Sequence, residues 1–431
     1  MIVAVVASAL VLATTTLALA HATLVSSEPA ANSVVSASPA RVRLVFSEQV
    51  EPTLAHLLLV TTDGAPMPLV VGGDPHDVNA LIAPVSGLHT GSYRLVWRVV
   101  SADGHPVDGS FVFSIGAASA AAPPDTGVVA APTTWGPSLL GAPVLAAALR
   151  GFAVGALAAF GGLLLFLFWS GAGGGAEQRR PVRLANYLAF AAPVLVSLHM
   201  LAWIVNVTPE HRLSGDAISA AIASGVGKTE LWRLGLTVAA SVFWWLSRRA
   251  ALAFLLAAGA LAVSGATGHS AAIGASWTAP AKAIHLAAGA AWLGGLLWLL
   301  TIDRTDVDRF MREASRVSRV ALVSVIAIAL SGVLQALLFA PSIRELIESR
   351  YGAVLAVKVV GLLVLVAFGA RHRFGMMPAV RRNALLTNKF ASSVSREIFV
   401  MTLVFLAGGL LAYVPVPASP TVNAASHSQH E

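Results

Sequence analysis

From residue 138 onward the chain is a succession of long apolar runs, near 143–169, 184–206, 230–247, 250–267, 281–301, 317–340, 353–370 and 397–414. A run of about 20 apolar residues is long enough to cross a bilayer as a helix. In hydrocarbon every backbone polar group must be satisfied internally, which leaves helices as the natural form for such runs. Eight transmembrane helices are therefore expected, and residues 138–415 form an all-α polytopic membrane domain on this reading. Composition agrees. Of 431 residues, 56% are hydrophobic and 11% charged, against about 25% charged in soluble domains, which excludes an ordinary soluble enzyme. The net charge of +7 invites a nucleic-acid reading, but the basic residues sit in short loops rather than on one face or tail, so no nucleic-acid partner is expected. Alternate loops hold sixteen Lys and Arg on one side of the eight spans and four (Arg212, Lys228, Arg344, Arg350) on the other. The positive-inside rule makes the richer side cytoplasmic. The N-terminal segment and the tail at 416–431 then lie outside the cytoplasmic membrane.

Residues 2–20 are apolar and end Ala18-Leu19-Ala20, a small-x-small pattern that fits cleavage of a signal peptide, residues 1–20, after Ala20. No basic residue precedes the run, so an uncleaved first helix is the competing reading. Cleavage would make His21 the new N-terminus.

Residues 21–116 differ in kind. Val42, Leu44 and Phe46 alternate with Arg41, Arg43 and Ser47; Tyr93–Val100 is β-rich; Phe111, Phe113 and Ile115 alternate again. Period-two patterning of this sort marks half-buried strands. Asp63-Gly64, Gly72-Gly73-Asp74-Pro75 and Asp103-Gly104 supply turns between the runs. An all-β sandwich or barrel is expected, followed by an Ala/Pro/Gly/Thr-rich linker at 117–137.

The chain has no cysteine, so disulfides and thiolate chemistry are absent. A mature N-terminal His offers two nitrogens from one residue, the α-amine and imidazole Nδ1. The amine titrates at about 7.7–8.0, so a metal can displace its proton near neutral pH. A second imidazole and a carboxylate would complete a tetragonal N/O set, which suits Cu(II). Ser101-Ala102-Asp103-Gly104-His105-Pro106 supplies both types. In a strand, Asp103 and His105 share a face. The competing reading makes Asp103-Gly104 a hairpin turn and His105 a solvated loop residue. His56, His76 and His89 read as solvated imidazoles.

Ionisable residues inside spans are costly and default to functional candidates. They are His199, Arg233, His285 and Lys358, with His269 at a span end. In the topology above all lie within roughly 10 Å of the outer boundary, and the inner half is expected to hold no comparable cluster. His199, His269 and His285, with Met200, can line a metal-receiving vestibule. Equally, Arg233 and Lys358 can snorkel to the headgroups while the histidines bridge helices. On the inner side His372, Met376 and Met377 can accept an exiting ion or stand there by chance. His427 and His430 can capture metal loosely in an unstructured tail. Trp169, Trp232 and Trp277 read as interface anchors.

The run His21-Ala-Thr-Leu-Val-Ser-Ser-Glu-Pro-Ala30, the segment Val42–Glu48 ending Phe-Ser-Glu, and Trp97-Arg-Val-Val-Ser-Ala-Asp-Gly-His-Pro106 resemble the CopC family of periplasmic copper-binding proteins over essentially all of 21–116. The resemblance implies a cupredoxin-like, Ig-like β-sandwich with a Cu(II) site whose ligands are His21, Asp103 and His105, with Glu48 beside the metal or weakly axial. A Met-rich Cu(I) site occurs in some members; here the matching segment has one methionine, Met67, and no His, so one Cu(II) site and no Cu(I) site is expected. Gly268-His269-Ser270 and His285-Leu-Ala-Ala-Gly-Ala-Ala-Trp-Leu-Gly-Gly295 resemble the CopD family, as do Arg316–Gly332 and Tyr351-Gly352 with Lys358. The whole chain is thus similar to CopC–CopD fusions of the YcnJ type, which implies copper uptake or tolerance.

Four functions follow from these residues: copper import, with copper capture outside and passage through the bundle; copper sequestration or sensing without transport; haem ligation by two imidazoles in the bundle; and oxygen activation at the N-terminal His. Asp103 as an added equatorial ligand disfavours the last. Gly227-Lys228-Thr229 lacks the earlier glycine of a P-loop, so ATP-driven pumping is not supported and no enzyme activity is expected. Copper, the lipid bilayer and a soluble copper-donor protein are the expected partners.

Overall fold

The computed structural model describes residues 22–119, 123, 142–170, 179–208, 213–267, 277–339 and 342–414. The expected signal peptide, His21, most of the linker, His269 and the expected tail lie outside the described residues.

The N-terminal segment is a sandwich of two sheets. Strands β1 (Leu24–Glu28), β3 (Arg41–Phe46), β7 (Asp77–Pro84) and β6 (Gly72–Asp74) form one sheet, in that order. The other runs β2 (Val34–Val35), β9 (Pro106–Ile115), β8 (Gly91–Val100), β4 (His56–Val60), β5 (Pro66–Leu69). The period-two pattern does what it predicts: Val42, Leu44 and Phe46 are buried while Arg41 is exposed. Across the core they meet Leu95, Trp97, Phe111, Phe113 and Ile115. Phe46 and Trp97 pack edge to face with ring centroids 5.2 Å apart.

Strand β8 departs from simple alternation because it is buried on both faces. Its Tyr93, Leu95, Trp97 and Val99 face the sandwich core. Val100 instead joins a second apolar cluster with Met200, Trp203, Ile204 and Val226 of the helical region. A strand covered on two sides reads as a continuous apolar run; at Val100 the second cover is the helix bundle, and at Val96 it is Val60 and Leu58 of β4.

The long helices are α1 (Ala142–Trp169), α2 (Arg179–Val207), α4 (Gly225–Ser247), α5 (Ala250–Gly265), α6 (Thr278–Thr301), α7 (Val307–Phe339), α9 (Arg350–Ala370) and α11 (Thr387–Leu411). Short helices α3 (Gly215–Ala223), α8 (Ile343–Glu348) and α10 (Met377–Arg382) sit between them. Each expected span coincides with one long helix. Among the described residues, six are long and apolar enough to cross a membrane by length and composition. The other two are α4, whose hydropathy is lowered by Lys228, Glu230 and Arg233, and α5, whose 16 residues span about 24 Å.

Helix α1 is the central element, packing against α2, α5, α6 and α11. Its approach to α6 depends on paired glycines: a Cβ on Gly162 would lie 1.9 Å from the carbonyl oxygen of Ala290, and one on Gly294 would lie 2.0 Å from the Gly162 carbonyl carbon. Small residues at such crossings let backbones approach where lipid supplies no hydrophobic drive. The far side of α7 presents Leu322, Val323, Ile326, Leu330, Val333 and Leu337 outward, an apolar stripe suited to lipid.

Candidate metal centre

Strands β8 and β9 are joined by a tight turn over Ser101–His105. Ser101 N–H donates to the His105 carbonyl at 3.0 Å and Gly104 N–H to the Ser101 carbonyl at 2.8 Å. The turn reading of Asp103-Gly104 is therefore right and the shared strand face is not. His105, however, is far from solvated: Asp103 and His105 are 3% and 4% exposed. The turn itself brings them together. Asp103 Oδ1 accepts from the His105 backbone N–H at 3.0 Å and lies 3.0 Å from His105 Nδ1. The Ser101 hydroxyl also donates to Asp103.

The segment before the 52–54 turn lies against this loop. Ala102 N–H donates to the Gln49 carbonyl at 2.9 Å, and Glu51 N–H to Val100 at 2.8 Å. Glu48 is thereby brought beside Ser101 and Asp103, and its carboxylate accepts from the backbone N–H of Ala22. Burial, and then the charge of Asp103, pushes the Glu48 carboxyl up to about 8. Burial and a neighbouring like charge both favour the protonated form of a carboxyl. Ala22 is fully buried, so the chain immediately after His21 sits at this loop. Among the described residues no group of three or more His, Asp or Glu converges closely enough to hold a metal ion. Asp103 and His105 are thus brought together, with Glu48 and Ala22 alongside.

The same loop is pressed onto the helices. Trp203 Nε1 of α2 donates to the Gly104 carbonyl at 3.0 Å. Gly104 has φ +90°, and a Cβ there would lie 3.2 Å from Trp203 Nε1, so both the turn and the docking favour glycine. Glu51 accepts from the first two amides of α4, Gly225 N–H at 3.0 Å and Val226 N–H at 3.3 Å. A carboxylate at a helix N-terminus satisfies otherwise unpaired donors and the helix dipole together.

Beneath the loop the His105 ring packs edge to face on Tyr413, just past α11, with centroids 4.8 Å apart. Tyr413 Oη reaches His199 Nε2 at 3.4 Å, and His199 Nδ1 lies 2.8 Å from Arg233 Nη2. Arg233 is also paired with Glu230 one turn earlier. Arg233 therefore does not snorkel: it is 1% exposed and turned inward. The spacing Glu230-x-x-Arg233 puts opposite charges on one helix face, a signal that was available in the sequence. Arg150, Lys282 and Tyr413 carried no such signal. Arg150 donates to Thr267 Oγ1 at 2.9 Å, and Lys282 to the Thr267 carbonyl.

His285 has other company. Its Nδ1 lies 2.9 Å from Ser331 Oγ of α7. His199 and His285 are thus held by different partners, and His269 lies outside the described residues, so the three expected vestibule histidines are not brought into one described cluster. The end of the bundle expected to be inner corrects a second expectation. His372, in the π-helical turn Arg371–Met376, places Nδ1 3.0 Å from Glu397 and Nε2 2.8 Å from Ser393 Oγ. Trp292 Nε1 donates to Glu397 at 3.0 Å. A buried polar cluster does exist there, hidden from sequence because its members come from three separate segments.

A β-sandwich whose acidic, imidazole-bearing loop is seated on a bundle of apolar helices defines a multi-pass membrane protein with a β-sandwich head. A family model described as the CopC domain matches residues 24–116, and one described as Copper resistance protein D matches residues 311–411. Copper resistance protein C of Xanthomonas campestris pv. juglandis is 41% identical over 105 residues, covering 23% of this chain and 82% of that protein. Copper transport protein CutJ of Bacillus subtilis (strain 168) is 26% identical over 439 residues, covering 93% of this chain and 75% of that protein. The crystal structure of CopC from Methylosinus trichosporium OB3b aligns with 32% identity and a TM-score of 0.21, over 22% of this chain and 93% of that one. The chain belongs to the CopC family and continues into a CopD region, a CopC–CopD fusion.

Proposed function

We propose that this protein captures Cu(II) outside the cytoplasmic membrane and passes copper to its own membrane domain for import. In this reading residues 1–20 are a signal peptide, 21–116 the copper-binding domain, 117–137 a linker, 138–415 an eight-helix membrane domain and 416–431 an outer tail. The head and tail are extracytoplasmic. His21, through its amine and imidazole, Asp103 and His105 ligate the ion, and Glu48 assists beside it. Copper is the cargo, delivered by diffusion or by a soluble donor protein, and the protein is not an enzyme.

The observation that carries this reading is the seating of the Asp103–His105 loop. His105 packs on Tyr413, and Tyr413 reaches His199 inside the bundle. A head that merely stored copper would have no need to bury its metal-binding loop against the membrane helices. Transfer requires the ion to leave a hard N/O set, and His199 is the first imidazole below it.

Copper accumulation by intact cells tests the reading. Cells expressing the protein should gain copper above vector controls, and His105→Ala should abolish the gain. Unchanged accumulation with intact Cu(II) binding would leave sequestration or sensing as the function. One observation favours that alternative: both ring nitrogens of His199 already face protein partners. A Soret band in the purified protein would instead indicate haem at the bundle histidines.

A further inference from the structure

The group of side chains beneath the metal-binding loop is short of negative charge. Arg150 of α1 and Arg233 of α4 are 8% and 1% exposed, and Lys282 of α6 is part-buried. Their charges act on one another: Arg150 on Arg233, and both on Lys282. Glu230 is the acidic residue among them, and Arg233 pairs with it directly. Lys358 adds a further positive field at Lys282. Even with Lys282 neutral, two guanidinium groups share one carboxylate.

The hydrogen bonds tell the same story. Arg233 uses Nη2 for both Glu230 and His199, while its Nε and Nη1 are buried with no hydrogen-bond partner among the described residues. Arg150 and Lys282 both turn to Thr267, through its hydroxyl and its carbonyl. These are neutral acceptors and cancel no charge. Buried guanidinium donors left unpaired are costly, and such groups are normally satisfied by a counter-ion or ordered water.

We propose that Arg150, Arg233 and Lys282 form a binding site for a small monovalent anion, a halide or a carboxylate-sized ion, directly below the copper-binding loop. Guanidinium forks supply directional donors to such an anion and the ammonium supplies a point charge. Tyr413 and His199 form the roof that separates it from His105. The bound anion completes the charge balance of the cluster. If copper passes this way, as proposed above, it also lowers the repulsion that a bare cation would meet there; anion binding itself does not depend on that passage.

The test uses the full-length, copper-free protein in detergent, at constant ionic strength with gluconate as the bulky reference anion. Thermal unfolding is followed while gluconate is replaced by bromide, and separately by formate. A ligand that binds only the folded state raises the melting temperature in a saturable way. The expected result is a saturating rise with bromide, formate or both. The response should be lost in Arg150→Gln and in Lys282→Met, and kept in Arg344→Gln on the exposed helix α8. Lys282→Met leaves the Glu230–Arg233 pair intact, so it guards against a folding defect in the arginine variant. Bromide located by anomalous scattering at the three cations would give the same answer without any variant. The proposal is overturned if neither anion produces a saturable rise. A rise of equal size in Lys282→Met, or one produced only by anionic lipid, overturns it as well.

Discussion

Two polar groups meet at Tyr413, and they carry opposite charge. Above it, Asp103 stands beside His105 in the Ser101–His105 loop, with Glu48 of the neighbouring segment alongside. Below it, Arg233 pairs with Glu230, and Arg150 and Lys282 add positive charge nearby. Asp103, His105, Arg150, Arg233 and Glu230 are buried, and only the upper group sets a carboxylate beside an imidazole with no arginine between them. In the lower one the carboxylate is committed to an arginine, and His199 is fixed by partners at both nitrogens. The contrast teaches where the fold places each sign of charge. On the function proposed above, capture belongs to the sandwich and the bundle beneath sets charge and docking. A second buried pair, His372 and Glu397, lies on the far side of the bundle, so polar stations exist at both ends of the helices.

The contrast can be broken first at Glu230. Glu230→Gln leaves Arg233 buried without its counter-charge, and loss of one partner of a buried pair costs about 3–5 kcal/mol. A large fall in the melting temperature of the full-length protein is expected, with Cu(II) affinity of the sandwich unchanged. A melting temperature equal to that of the parent would show that Arg233 has another compensating partner.

The next effect is at the metal. Removing an outer-shell partner of a metal ligand costs about 10–100-fold in affinity, so removing a ligand should cost more. His105→Ala is expected to weaken Cu(II) binding on the order of 100-fold or more, measured by competition with a chelator of known affinity. Retention of full affinity would remove His105 from the site.

Acidity sharpens the upper half alone. Glu48 has a folded-state pKa raised to about 8, above the value of about 4.3 for an unperturbed glutamate. Between those values the unfolded chain has released this proton and the folded chain has kept it. Copper-free stability should therefore fall as pH rises through that window, by at most about 1.4 kcal/mol per pH unit. Glu48→Gln should flatten the slope. Denaturant melts of the full chain across pH 5–8 check both.

The smallest effect is expected at the joint. Trp203→Phe removes the donor to Gly104 and keeps most of the apolar packing, a loss of about 1 kcal/mol. Backbone amides around Gly104 should exchange with deuterium faster than in the parent. Unchanged exchange would mean that Glu51 and the apolar contacts hold the loop alone.

Much of the fold is legible because its periods are simple. Val42, Leu44 and Phe46 alternate, and each apolar run of the second half became one helix. The site was legible in part. Asp103, His105 and Glu48 lie within two short segments whose turn chemistry is local, and they come together in the structure. The docking could not be read, because Glu51, Gly104 and Trp203 are unremarkable residues whose roles arise only when two distant segments touch. Arg150 and Lys282 are illegible in the sequence for a related reason. Each sits in or beside an apolar run as a single basic residue, and only the packing of α1 on α6 turns them into neighbours. Arg233 misled because snorkelling is the common fate of an arginine near a span end; its i,i+3 carboxylate is what drew it inward.

The central claim is that copper is held by the start of the mature chain together with the Asp103–His105 loop. It is tested most directly by electron paramagnetic resonance of one equivalent of Cu(II) on the full-length protein. Three samples are needed: one beginning at His21, one with a single extra residue before His21, and His105→Ala. The account predicts a tetragonal Cu(II) signal with nitrogen couplings from the amine and two imidazoles in the first sample. Couplings should be lost, and the signal changed, in each of the others. The same spectrum in all three would place the copper elsewhere and contradict the account.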